Sequence, residues 1–467
     1  MRSRFEKFGL IGLGLIAGVL VSLHFSAVAD KDSETTLPIE DLRAFSEVFG
    51  RIKSDYVEPV TDKKLITEAI NGMLSGLDPH SAYLDAEGFK ELQVGTQGEF
   101  GGLGIEVSME DGLVKVISPI EDTPAFQAGI KSGDLIIKLD DTLVKGLSLN
   151  DAVKHMRGKP GSKITLTVIR KNEGKPLLFT LARAVIKVKS IKSKSVEPGY
   201  GFVRITQFQE HTGENLASAL DDLSKQNPAG LKGLVLDLRN DPGGLLTAAV
   251  GVSAAFLPKD ALVVYTEGRT ADAKMRLSAT PADYLRGDGK NDYLKNLPAA
   301  IKDVPLIVLV NGGSASASEI VAGALQDHKR AIIMGTQTFG KGSVQTILPL
   351  GGNTAIKLTT ARYYTPGGRS IQAKGIVPDI IVDDPATSEQ DKTFRLRESD
   401  LERHLSNDRQ PEDKVESAKP AAPAKAPAKP RDEETVKPEL AAFGEKNDYQ
   451  LNQAINLLKG MNILHPK

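Results

Sequence analysis

Apolar positions follow two different periods along this chain, and the change from one to the other divides it. Ile39, Leu42, Phe45, Val48, Phe49 and Ile52 recur at helical spacing and predict an amphipathic helix. Asp62 is placed to cap a second helix carrying Leu65, Ile66, Ala69, Ile70 and Met73. From about 95 to 185 the pattern shifts to short β-rich runs, such as 112–117 and 163–169, separated by turn signals like Lys159-Pro160-Gly161-Ser162. From 186 to about 385 strands and helices alternate. Leu231–Leu238, Val304–Val310 and Ala331–Met334 read as buried strands, and Leu245–Phe256 and Glu319–Gln326 read as helices. Such alternation predicts a sheet layered with helices, so the fold class is multidomain α/β.

Beyond 386 the chain turns polar. Ala418–Pro430 is an Ala/Lys/Pro tract that cannot build a core and reads as a semi-extended linker. Leu451, Ala454, Ile455 and Leu458 then mark a final amphipathic helix, expected to dock on another subunit or a partner. The expected segments are 1–29 leader, 30–94 helical region, 95–185 β-rich module, 186–385 αβ core, 386–444 linker and 445–467 helix.

The first segment carries Arg2, Arg4 and Lys7, an apolar run from Phe8 to Leu23, and Ala27-Val28-Ala29. This is a secretory signal pattern with cleavage before Asp30, which predicts a periplasmic or other extracytoplasmic location. An uncleaved membrane anchor is the alternative. The 467 residues contain no cysteine, which excludes disulfides, thiolate metal sites and a lipoprotein anchor. Lys and Arg number 59 against 60 Asp and Glu, so no basic excess points to a nucleic acid. None of the seven histidines forms a metal-ligand pair at helical spacing, and no metal or cofactor is expected.

Four stretches carry candidate chemistry. Asn311–Glu319 places Ser314, Ser316 and Ser318 among small residues where an apolar strand meets a helix. A helix N-terminus favours developing negative charge, and a serine needs a base to become nucleophilic. Phe339-Gly340-Lys341-Gly342 holds a lysine that burial could keep neutral as that base. Gly335–Lys341 has P-loop spacing, but Gly342 replaces the magnesium-binding hydroxyl and a strand follows, so nucleotide binding is rejected. Asp237–Gly244 ends a strand in a Pro-Gly-Gly turn whose N–H groups can supply half of an oxyanion hole. Phe100–Ile105 is a glycine-rich turn entering a strand, suited to a carboxylate and to β-augmentation by a peptide tail.

Together with Gly72–Ser81 and Thr365–Ser370, these stretches resemble, in order, the carboxyl-terminal processing peptidases, or tail-specific proteases. The resemblance spans about Asp41 to Asp383. It implies a crotonase/ClpP-like αβ protease core with an inserted PDZ domain between helical N- and C-terminal segments. It further implies Ser316 as nucleophile, Lys341 as base and Gln345 as the residue orienting the lysine. Ala317 would supply one oxyanion N–H and Gly243 or Gly244 the other, with Asp327 in support. Gly102, Leu103, Gly104 and Ile105 would hold the C-terminal tail of a protein substrate. The carboxylate loop departs from the family pattern by an extra glycine, and the long polar tract 265–304 is expected to be a lid or a docking surface. Some family members use such terminal helices to assemble and need an activating adaptor such as a helical-repeat lipoprotein, so a homo-oligomer and such an adaptor are expected by analogy. A PDZ scaffold on a silent core is the rival reading.

Overall fold

Ile39–Asp55 folds as helix α1, with Glu40 and Asp41 in its first turn and Lys53 in its last, each suited to the helix dipole. In this computed structural model the described residues are 38–464, apart from 111, 121–122, 172, 174, 188–189, 286–290, 384–395 and 410–446. The leader-like segment and the Ala418–Pro430 tract lie outside them. Residues up to Ala69 form one compact unit and Ile70 onward another. In α1 the stripe of Ile39, Leu42, Phe45 and Val48 is exposed. Helix α2 (Asp62–Ser75) follows, but its cap is Thr61, whose Oγ1 accepts from Lys64 N at 3.3 Å, and not Asp62 as expected.

The second unit continues with β1 (Ala82–Leu84), α3 (Ala86–Gln97) and β2 (Glu99–Gly102). The β-rich module then comprises β3 (Ile105–Glu110), β4 (Leu113–Pro119), α4 (Pro124–Gln127), β5 (Leu135–Leu139), β6 (Thr142–Leu143), α5 (Leu149–Met156), β7 (Lys163–Ile169) and β8 (Leu177–Ala182). Its sheet runs β3-β4-β5-β7-β8, with β3 at an edge. Alternate residues of these strands, including Val114, Val116, Ile136, Leu166 and Val168, close a core of the module's own. The chain leaves through β9 (Ala184–Lys187), which pairs antiparallel with β2 so that Glu99 faces Lys187. Entry and exit of the module are thus zipped together at its root.

The αβ part comprises β10 (Ile191–Glu197), β11 (Tyr200–Ile205), α6 (Thr212–Gln226), β12 (Gly233–Asp237), α7 (Leu246–Ala254), β13 (Leu262–Gly268), β14 (Arg276–Ser278), α8 (Pro281–Tyr284), β15 (Leu306–Val310), α9 (Ala317–Asp327), β16 (Ile332–Gly335), β17 (Ser343–Pro349), β18 (Ala355–Tyr364) and β19 (Ile380–Ile381). One sheet runs β10-β11-β12-β15-β16-β19, parallel from β11 onward. Every residue of β12 and β15 is buried, as continuous apolar runs in a parallel sheet covered on both faces should be. Side chains of α6, α7 and α9 join the core on one face. A second, antiparallel sheet pairs β18 with β1, β13 and β17.

The final helix α10 (Tyr449–Leu464) covers the other face of the parallel sheet. Leu451, Ala454, Ile455 and Leu458 pack with Tyr200, Phe202, Val235, Ile307, Leu309 and Met334. The apolar stripe is therefore satisfied within its own chain, not on another subunit or partner as expected. Two further expectations change. Part of the stretch read as linker is packed, since Glu398 and Asn407 are buried. The tract 265–304 contributes β13 and the buried Tyr284 to the core and is no free lid.

Candidate active site

Three serines of equal appearance in sequence are sorted by their partners. Ser314 Oγ donates to the Leu238 carbonyl at 2.8 Å and Ser318 Oγ to the Asp241 carbonyl at 2.9 Å, and both serines are fully buried. They lash the serine loop to the turn that follows β12. Ser316 alone of the three is not buried. It sits at the N-cap of α9 with φ 55 and ψ −112, a positive φ that a non-glycine residue adopts at strain.

Glu319 joins this serine to the lysine loop. Its Oε2 accepts from Ser316 N at 2.8 Å and Lys341 N at 3.0 Å. Its Oε1 accepts from Thr338 Oγ1 at 2.5 Å and Gly340 N at 2.7 Å. One buried carboxylate therefore fixes the backbones of both loops. Burial pushes its pKa up to about 7, against the pull of those four hydrogen bonds. Gly342 is required beside the lysine because a Cβ there would stand 2.4 Å from Gln372 N.

Burial also holds the Lys341 amine below its usual range, helped by the charge of Lys357 and opposed by Glu398, Glu319 and Asp78. Tyr363, itself fully buried, donates its hydroxyl to the Lys341 carbonyl. The structure brings the Ser316 and Lys341 loops together around Glu319 and Tyr363. Among the described residues, no hydrogen bond joins Ser316 Oγ directly to Lys341 Nζ.

Gln345 Nε2 donates to Ser343 Oγ at 3.0 Å and Thr359 Oγ1 at 3.2 Å. Thr359 Oγ1 in turn donates to Asp78 Oδ1 at 3.0 Å, and Ser81 Oγ to Asp78 Oδ2 at 2.7 Å. His80 Nε2 lies 2.8 Å from Glu398 Oε2, while Gln372 Nε2 donates to Glu398 Oε1 at 2.9 Å. Sequence reasoning gave Asp78, His80 and Glu398 no role beside the lysine. Asp78 and Glu398 act on its charge from segments far apart in the chain, with His80 joined to Glu398, and no local pattern signals that. Asp327 lies at the far end of α9 and binds Gly367 N and Arg369, so it holds the 365–370 turn.

Gly243 (φ 96) lies hard against the serine: a Cβ there would stand 2.8 Å from both Ala317 N and Ser316 Cβ. Ala317 opens α9, as the oxyanion expectation needs. In the module, Leu103 is buried, Gly102 pairs with Ala184 at the root, and Ile105 opens the edge strand β3. A cleft of about 520 Å³ runs between this module and the core, lined in part by Phe100, Val153, Arg157 and Gln209. No group of metal-binding side chains occurs among the described residues, and none of their helices is long and apolar enough to cross a membrane.

This multidomain α/β fold carries a separate β-rich module and a serine at a helix start, and its family and relatives make it a serine-type peptidase. The peptidase family S41 profile matches residues 199–382, a PDZ profile matches 101–181, and the N-terminal domain profile of the activating protease CtpB matches 20–88. The "Carboxy-terminal-processing protease" of Bartonella bacilliformis is 46% identical over 449 residues, covering 95% of both chains. A "Probable CtpA-like serine protease" of Staphylococcus aureus is 36% identical, covering 84% of this chain and 76% of its own. Among solved structures, the photosystem II D1 C-terminal processing protease is 32% identical, with a TM-score of 0.40, over 74% of this chain and 88% of its own. The chain belongs to the carboxyl-terminal processing peptidases of family S41.

Proposed function

We propose that this protein is an extracytoplasmic endopeptidase that captures the free C-terminus of protein substrates on its PDZ domain and cleaves them with a Ser316–Lys341 dyad. The observation that carries this reading is the Glu319 carboxylate, which holds the backbone of both residues at one site. Neutral Lys341 takes the Ser316 proton as Oγ attacks the peptide carbonyl. The oxyanion is held by backbone N–H groups, including that of Ala317, at the start of a helix. Lys341 returns its proton to the leaving amine, and water releases the acyl-enzyme. Gln345 acts through Thr359 and Ser343 to order this corner, and Asp327 supports the 365–370 turn.

The missing direct Ser–Lys bond favours a resting form that tail binding, or an adaptor such as a helical-repeat lipoprotein, brings into alignment. Catalytic hydrogen bonds are often longer in the free enzyme than in the working complex. Gly102, Leu103, Gly104 and Ile105 lead into the edge strand β3, where an extended tail can add by backbone pairing. The exposed stripe of α1 suits pairing with a second copy of the chain. The leader segment supports secretion.

The test uses an unstructured substrate with an apolar C-terminus. Ser316→Ala and Lys341→Ala should each lower kcat by a factor on the order of 10⁴–10⁶ while the circular dichroism spectrum stays that of the wild type. Substrate loss equal in all three proteins would sink the proposal.

A further inference from the structure

The turn after β12 contains a buried acid that the mechanism above does not use. Asp241 is fully buried, and its Oδ1 accepts from Gly243 N at 2.9 Å. Its Oδ2 is buried with no hydrogen-bond partner. Its main-chain oxygen accepts from Ala315 N at 3.0 Å and from Ser318 Oγ. The residue is thus clamped between the two loops that meet at Ser316. Burial pushes the carboxyl up to about 8, so holding a charge here opposes solvation. An acid in so unfavourable a place calls for a reason.

The hydrogen bonds supply one. Because Asp241 Oδ1 occupies the Gly243 N–H, that group is not free to donate to a reacting carbonyl. Phe208 N donates to the Gly243 carbonyl and Leu245 N to the Phe208 carbonyl, which is a parallel bridge centred on Gly244. In such a bridge the central residue's own N–H points away from the partner strand. Among the described residues no acceptor takes the N–H of Gly244 or that of Ala317. We propose that Asp241 is the positioning residue of the oxyanion site: by holding the Gly243 N–H it sets the turn so that Gly244, not Gly243, pairs with Ala317 around the developing oxyanion. This rests on the serine peptidase reading. It also resolves the two glycines that sequence left equivalent.

The test compares full-length wild type with Asp241→Ala, Asp241→Asn, Asp241→Ser and Ser316→Ala on one peptide, with kcat and KM measured separately. Affinity for a peptide boronate, whose tetrahedral oxygen takes the oxyanion's place, is measured alongside. Asp241→Ala should lower kcat by about 10²–10³-fold, the usual effect of losing one oxyanion donor, with KM nearly unchanged. Boronate affinity should fall with kcat. Asp241→Asn keeps an acceptor for Gly243 N–H and should restore both to within about tenfold, a factor of about 1.4 kcal/mol. Asp241→Ser also keeps an acceptor and takes the place of Asp241→Ala in the comparison if the alanine variant does not fold, with partial recovery expected. A wild-type kcat in Asp241→Ala, a loss carried by KM, or equal impairment of the alanine, asparagine and serine variants would overturn the assignment. Hydrolysis by Ser316→Ala would overturn the peptidase reading instead. A silent Ser316→Ala beside an unimpaired Asp241→Ala overturns this inference alone.

Discussion

On the proposed mechanism Lys341 acts in proportion to its neutral fraction, so the charges around it set the pH at which activity turns on. Burial lowers its pKa, and kcat/KM should therefore rise with pH along a limb below the ordinary lysine range. The sign of each neighbour follows. Lys357 is positive and disfavours a charged Lys341, so Lys357→Ala should move the limb to higher pH. Glu398 is negative and favours the charged amine, so Glu398→Gln should move it to lower pH while an amide oxygen still accepts from Gln372. Profiles of the two variants that coincide with the wild type would remove the electrostatic account of the base. The proposed pair, Ser316 and Lys341, stood out as candidates in the sequence, because serine after a strand and lysine between glycines are local signals. The choice among three serines rested on resemblance until burial separated Ser316 from Ser314 and Ser318. Glu319 was visible as an acid in a helix's first turn. Its bonds to Thr338, Gly340 and Lys341 were not, since they cross about twenty residues of sequence and exist only once β16 lies beside β15.

Helix α10 shows the same division one level up. Its period announced an apolar face that had to be covered, yet period alone names no partner, and the expected docking elsewhere gave way to the chain's own sheet. What fixes the helix start is a buried charge network. Arg239 Nη2 lies 2.6 Å from Asp448 Oδ2, and Arg239 Nη1 donates to Gln450 Oε1 at 3.0 Å, while Asp237 binds both Arg239 and Arg204. Arg239 and Asp448 are each almost wholly buried. Asp448→Ala leaves Arg239 with Asp237 and Gln450 but removes a charged hydrogen-bond partner, so it should cost about 1.5–3 kcal/mol in urea unfolding at unchanged m-value. Arg239 precedes the turn that carries Asp241 and Gly243, so kcat should fall as well. A variant as stable as the wild type would show that the helix is held by its apolar face alone. The parallel strands were the easiest elements to read, since burial on both faces makes an unbroken apolar run.

At the scale of the whole molecule the question is whether the PDZ domain recruits substrate or completes the site. Its insertion was legible as a change from helical to strand period and back. Its root was not, because β2 is glycine-rich and β9 short, and only their pairing reveals it. The domain has its own core, and Glu99 lies opposite Lys187 at the root, so the two ends to be rejoined are neighbours across one pair of strands. A chain with a short turn replacing the residues between them should therefore fold. If the domain recruits tails, wild type should prefer a free C-terminus over its amide. The preference should be about 10–100-fold in kcat/KM, the range for hydrogen bonds to one charged group. The shortened chain should lose that preference while still cleaving a short peptide that needs no anchor. Loss of all turnover, including on the short peptide, would mean that the cleft between module and core belongs to the catalytic arrangement itself. The tail would then act by aligning Ser316 and Lys341 more than by raising local substrate concentration. These two outcomes differ in kcat on the unanchored peptide, and that one measurement separates tethering from activation.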